Sequence, residues 1–217
     1  MLFVLKDYYQ GTDYVAACII YLLALVLSFT LHEFAHAFVA YKCGDDTPKI
    51  MGRVTLNPLA HIDPIGLICA ALFFVGWAKP VQVNPLNFKK YRKGMTLTSI
   101  AGVVMNFIVA FLSCGVYCCI AKYTTGFSTF GAYCFIFVFI LFSLNISLGV
   151  FNFLPFYPLD GFNFINSFTK ESNKVVRFLQ KYGQWILIAL LLFFSDYLSI
   201  LIGWISYPMI LFWGLIF

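Results

Sequence analysis

The sequence predicts an all-α polytopic membrane protein, a bundle of about four to five transmembrane helices, and two observations carry that prediction. Of 217 residues, 62% are hydrophobic and 11% charged, too few charges to wet the surface of a soluble fold of this length. The apolar residues are also gathered into runs of about 20 or more, the length that crosses about 30 Å of hydrocarbon as a helix. The net charge of +5 does not point to nucleic acid, because the 14 Lys and Arg sit in short segments between the apolar runs rather than on a polar domain. They read as topology signals. Most of the seven Cys lie inside apolar runs, where Cys is a small hydrophobe, so no disulfide framework is implied.

The elements follow in order. Tyr14 to Tyr41 is the first span; it is preceded by neither a basic segment nor a small-residue cleavage site and is expected to persist as a signal anchor. In the polar stretch that follows, residues 49–58 carry partial β character between Pro48 and Pro58, and a short β element is expected there. Ile65 to Ala78 is apolar but too short to span; bounded by Asp63-Pro64 and Lys79-Pro80, it has the length of a re-entrant segment. Met95 to Ala121 and Phe130 to Leu154 are further spans. Gln184 to Phe217 is too long for one upright helix, and Ser195-Asp196 near its middle marks a turn between two short or tilted ones. No soluble domain or internal repeat is visible, so residues 1–217 read as a single transmembrane domain, with a core over about 14–161 and C-terminal helices over 184–217.

The chemistry lies in His32-Glu33-Phe34-Ala35-His36, near the C-terminal end of the first span. Histidines at i and i+4 share one helical face and can bind one metal, and a Glu beside the first can polarise a metal-bound water. With three His in the chain, such a run arises by chance with probability on the order of 10⁻⁴, so composition does not explain it. At membrane depth these groups cost kilocalories unless paired, metal-bound or facing water. A hydrolytic zinc site needs a third protein ligand and an open position. The remaining candidates are His61 and the acidic residues Asp13, Asp63, Asp160 and Asp196 in or beside apolar runs. Asp160 stands out, because Pro155 and Pro158 break the helix before it and free its carboxylate to turn back.

Charge bias tests this arrangement independently. If Ile65 to Ala78 is re-entrant, Lys42, Lys49, Arg53, Lys79, Lys89, Lys90, Arg92, Lys93, Lys170, Lys174, Arg177 and Lys181 share one side against Lys6 and Lys122. Asp160 then falls in the same leaflet as the histidines, and the positive-inside rule makes that side cytosolic. If the segment spans instead, the bias weakens and Asp160 moves a bilayer thickness away.

Taken together, these residues resemble the site-2 protease family of intramembrane zinc metalloproteases. The resemblance runs from Ser28 through Gly161: His32 to His36 resembles the family's catalytic helix, and Asn152 to Gly161 its N-x-x-P-x-x-P-x-D-G segment. Gly52 to Gly66, with Gly76-Trp77-Ala78-Lys79-Pro80-Val81, looks like the compact prokaryotic branch without PDZ or CBS domains. The resemblance implies one Zn²⁺ per chain held by His32, His36 and Asp160, Glu33 as general base, and Asn152 stabilising the oxyanion. It implies hydrolysis of peptide bonds within or near transmembrane segments of membrane-protein substrates, that is, regulated intramembrane proteolysis. The implied setting is a multi-pass protein of the cell (inner or plasma) membrane with the active site toward the cytosol; its partners are substrate and lipid bilayer, not nucleic acid. Ala101-Gly102-Val103-Val104-Met105-Asn106 departs from the family's A-G-P-x-x-N pattern in having Val for Pro, while Asn106 remains.

Smaller signals have plainer readings. His61 and Asp63 lie in a turn-rich segment; a hydrogen bond to a ligand is conceivable, as for Asn106, but a loop-structural role is the simpler expectation for the pair. A different function on the same fold, a catalytically silent protein that binds a membrane client, is opposed by the intact Glu33. A transporter is opposed by the absence of paired broken helices in inverted repeats.

Overall fold

A computed structural model describes residues 12–73, 76–124, 126, 128–169 and 173–217. Lys6 and Lys170, two of the charges weighed above, lie outside the described residues, as does the side chain of Asp13. The chain forms α1 (Thr12–Lys42), a short α2 (Thr47–Ile50), α3 (Pro64–Phe73), α4 (Tyr91–Tyr123), α5 (Thr129–Asn152), α6 (Asp160–Phe168), α7 (Lys174–Phe193) and α8 (Ser195–Ile216). Five of these, α1, α4, α5, α7 and α8, are long and apolar enough to cross a membrane, and the described residues contain no sheet.

The framework is α1, α4 and α5. Water does not drive helices together inside lipid, so close backbone approach and buried polar contacts must do so. Both are present. Ala17, Ala24 and Ala40 on α1 and Ala110 on α4 are buried small residues. Ile20, Tyr21, Ala24 and Leu25 of α1 pack with Ala70 of α3 and Ile140 of α5. Ala110 and Cys114 of α4 pack with Phe142, Ile146 and Val150 of α5. Asn145 of α5, fully buried, donates from Nδ2 to Ser28 Oγ on α1 at 2.8 Å. The 31 residues of α1 make about 46 Å of helix. His32 and His36 therefore sit roughly 15 and 9 Å from its end, well inside it.

The re-entrant expectation has a direct structural counterpart. Helix α3 has ten residues, about 15 Å or half the hydrocarbon thickness. The chain then returns beside its own start: Ile62 and Ala78 form an antiparallel bridge, and Lys79 N donates to His61 O at 2.8 Å. Residues 74 and 75, within the expected segment, lie outside the described residues.

The expected β element over 49–58 does not form. Pro48 at the start of α2 suits a helical first turn, Gly52 turns the chain at φ 68°, and Pro58–Ala60 winds into a 3₁₀ turn. Local proline and glycine geometry outweighs the weak apolar alternation. The region is held by polar contacts instead. Fully buried Asp45 accepts from Thr47 N at 3.1 Å, Thr47 Oγ1 at 2.6 Å, Asn84 N at 2.7 Å and Asn87 Nδ2 at 2.8 Å. It ties the exit of α1 to the entrance of α4. Burial alone pushes the Asp45 carboxyl up, but these donors together hold it below the usual carboxylate range.

At the far end, the C-terminal apolar stretch divides at Phe194, one residue before the expected turn, into α7 and α8. Lys174, Arg177 and Lys181 lie on the first turns of α7 rather than in a separate polar loop. Helix α8 has no buried residue.

Candidate metal centre

Two helices and one turn meet at the site. Helix α1 presents His32 and His36 one turn apart, both 8% exposed, with ring centroids 4.7 Å apart. Helix α5 ends at Asn152; Pro155 and Pro158 follow, the Tyr157–Pro158 peptide is cis, and α6 begins at Asp160. A Cβ at Gly161 would collide with the carbonyl oxygens of Phe153 and Leu154, so only glycine lets this turn fold against α6 and aim Asp160 at α1. The Asp160 carboxylate thereby comes back 124 residues along the chain to His36.

The distances allow a test of metal fit. His32 Nε2 and His36 Nε2 are 3.1 Å apart. Asp160 Oδ2 lies 3.1 Å from His36 Nε2 and 3.3 Å from His32 Nε2. Ligand atoms bound to zinc at about 2.0–2.1 Å in tetrahedral directions stand about 3.3 Å apart. The triangle matches one face of such a tetrahedron. Among the described residues these three are the only His, Cys, Asp or Glu grouping with that geometry.

His36 Nδ1 is 2.7 Å from the carbonyl oxygen of Thr98 on α4. A carbonyl only accepts, so Nδ1 carries the proton and donates, which leaves the Nε2 lone pair pointing into the triangle. Asn106, fully buried on α4, places Nδ2 3.1 Å from His32 Nδ1. Between them, Gly102 is pressed against both rings: a Cβ there would collide with His36 Nε2 and His32 Cε1.

Glu33 sits beside the triangle. Its Oε2 accepts from Val81 N at 3.0 Å, so the returning segment after the bridge lies over it. Glu33 lines two cavities of about 340 and 330 Å³. The first also contains His36, Asp160 and Pro80; the second contains His32, Trp77 and Asn152. Asn152 is thus brought to the site. His61 and Asp63 are not brought into the ligand triangle. His61 Nε2 donates to Thr55 O at 2.8 Å, Arg53 donates to Ala60 O, and Asp63 Oδ1 accepts from Gly66 N at 2.9 Å at the start of α3. Both residues hold the loop that supports the returning segment. Asp196 lies in the first turn of α8 and is exposed.

Three contributors escaped sequence reasoning: the Thr98 carbonyl, the Val81 amide and Gly102. The first two are backbone groups, which no residue type announces. Gly102 carried a signal, being a glycine within a long spanning helix.

A buried three-ligand site with an acid beside it, set in a membrane-spanning helical bundle, defines the class of membrane-embedded metalloenzymes. The chain belongs to peptidase family M50, the site-2 protease family. The family signature matches residues 120–194, which include Asn152 and Asp160 but not α1. A Bacillus subtilis (strain 168) protein named "Putative zinc metalloprotease YwhC" is 45% identical over 146 residues, 66% of this chain and 66% of that protein. The chain's match thus spans just under two thirds of that relative's length. "Putative zinc metalloprotease Rip2" of Mycolicibacterium smegmatis (strain ATCC 700084 / mc(2)155) is 26% identical over 200 residues, 86% of this chain and 71% of that protein. Rip2 of Mycobacterium tuberculosis (strain ATCC 25618 / H37Rv) is 27% identical over 191 residues, 85% of this chain and 70% of that protein. No solved structure gives a significant match. Zinc is the metal of the family and of these relatives' names.

Proposed function

We propose that this protein is an intramembrane zinc endopeptidase that cleaves membrane-protein substrates within or near a transmembrane segment. The observation that carries the reading is the triangle of His32 Nε2, His36 Nε2 and Asp160 Oδ2, with sides of 3.1 to 3.3 Å and Glu33 lining the adjoining cavities. A binding-only protein need not keep Glu33 beside that triangle. The three side chains would hold one zinc, which when bound would supply Lewis-acid activation of water and of the scissile carbonyl.

The protein's own groups do the rest. The Val81 amide fixes Oε2 of Glu33 and leaves Oε1 to take the proton of the attacking water and return it to the leaving amine. Asn152, on the cavity that also holds His32 and Glu33, donates from Nδ2 to the developing oxyanion. A helical substrate hides its carbonyls in its own hydrogen bonds and must unwind before attack. Helix-destabilising residues near the scissile bond therefore favour cleavage. The clustering of basic residues on one side of the bundle supports an active site facing the cytosol.

The test is metal content by mass spectrometry on detergent-purified protein, paired with cleavage of a panel of single-span reporter proteins. Wild type should hold about one zinc per chain, His36→Ala and Asp160→Ala should lose it, and Glu33→Gln should keep it while losing cleavage. Zinc retained in Asp160→Ala, or cleavage retained in Glu33→Gln, would overturn the assignment.

A further inference from the structure

Metal ligation through Nε2 requires the proton of each imidazole to sit on Nδ1 and to be held there by an acceptor. His36 has its acceptor in Thr98 O at 2.7 Å. His32 has only the side-chain amide of Asn106, and that amide leaves a buried polar group unspent. Nδ2 stands 3.1 Å from His32 Nδ1, while Asn106 Oδ1 is buried without a hydrogen-bond partner among the described residues. In either orientation one end of the amide meets His32 Nδ1 and the other has no partner among the described residues, so what His32 requires of Nδ1 decides which end faces it. A half turn of the planar amide exchanges its two ends with almost no change of shape. Oδ1 then accepts the Nδ1–H of His32, and the Nε2 lone pair turns to the other two ligands.

Resting on the zinc-site reading above, we infer that Asn106 is a positioning residue that fixes the His32 tautomer for metal binding. Helix α4 is then a third wall of the site. Thr98, Gly102 and Asn106 are four residues apart and so share one helical face. The first orients His36 through its carbonyl, the second makes room for both rings, and the third orients His32.

The test compares two substitutions that keep the number and branching of the side-chain heavy atoms. Leu at 106 keeps the branched outline but removes the acceptor; Asp keeps an acceptor and strengthens it. Zinc-loaded protein in detergent is challenged with EDTA and the retained zinc is followed with time. Asn106→Leu should lose zinc about 10 to 100 times faster than wild type, the size of effect such orienting partners have on metal affinity. Asn106→Asp should match or exceed wild type. A purely packing role would leave Asn106→Leu at the wild-type rate, and that result overturns the inference.

A second measurement needs no variant at this position. The chain contains three His, so the ¹⁵N spectrum of histidine-labelled, zinc-loaded wild type contains three rings. The His32 ring, identified by its disappearance in His32→Ala, should carry its proton on Nδ1. A proton on Nε2 overturns the inference even if Asn106→Leu fails to fold. Failure of the underlying reading looks different: wild-type zinc would then be unaffected by His32→Ala.

Discussion

The face of α4 that meets α1 and the length of α8 are both parts of apolar spanning helices, yet they are built in opposite ways. On α4, Thr98, Gly102 and Asn106 are buried, and a Cβ at Gly102 would strike the imidazoles of both His32 and His36. On α8 no residue is buried, and Gly203 and Gly214 have only open space around them. Helix α8 rests on α4 and α5 through the partly buried Ile202, Ile205, Met209 and Trp213; Trp213 Nε1 donates to Phe111 O at 2.9 Å and its ring fills the gap left by Gly115. The same apolar composition thus serves close packing around a site in one place and a partly buried contact along one stripe in the other. What separates them is where small and polar residues fall, not hydrophobicity.

Matched substitutions in the two regions should break or bear out this contrast. The largest effect is expected from Gly102→Ala, whose added methyl collides with His32 and His36; zinc content by mass spectrometry should fall from about one per chain to a small fraction. Retention of a full zinc would mean that α4 is not a wall of the site. Next comes Asp45, which clamps the site-bearing end of α1 to the start of α4. Asp45→Asn puts an amide where four donors converge and should cost about 1–3 kcal/mol of stability in detergent unfolding. The clamp also carries a pH signature. The Asp45 pKa is lower in the folded state than its unfolded value near 3.9. Its stabilisation is therefore complete above that value and disappears as pH falls through the folded pKa. As pH falls below about 4 wild type should progressively lose this contribution and Asp45→Asn should not, as read from thermal unfolding of the two side by side.

In the C-terminal region the effects should be small. Trp213→Phe removes one interhelical hydrogen bond and should cost about 0.6 kcal/mol, with zinc content unchanged. Gly203→Ala should stay within about 0.5 kcal/mol of wild type by the same unfolding measurement. Metal loss in either variant would mean that α8 supports the site and would collapse the distinction.

Much of the site was legible because its chemistry is carried by side chains at diagnostic spacing. His32, Glu33 and His36 announce themselves at i, i+1 and i+4, and two prolines mark where Asp160 escapes the helix. The re-entrant segment was legible from its length and its flanking Asp63-Pro64 and Lys79-Pro80. The role of α4 was legible only through Asn106, a candidate hydrogen-bond partner of a ligand; that it meets His32 across 74 residues is not written in the spacing, and the Thr98 carbonyl is a backbone group. The Asp45 clamp was hidden for the same reason, its partners being 39 and 42 residues away. Residues 49–58 were misread because alternation counts for little where Pro48, Gly52 and Pro58 already dictate the backbone.

The return of Asp160 to His36 across 124 residues also sets a timetable. At a synthesis rate of about 5–20 residues per second, the ribosome needs on the order of 10 s to proceed from one to the other. Throughout that interval α1 can already lie in the membrane with both imidazoles but without the carboxylate. The nascent chain is consequently unable to complete its metal site until α5 has been made and the turn after it has folded back. On the proposed function, the protein is thereby inert toward membrane segments while it is itself being threaded into the bilayer.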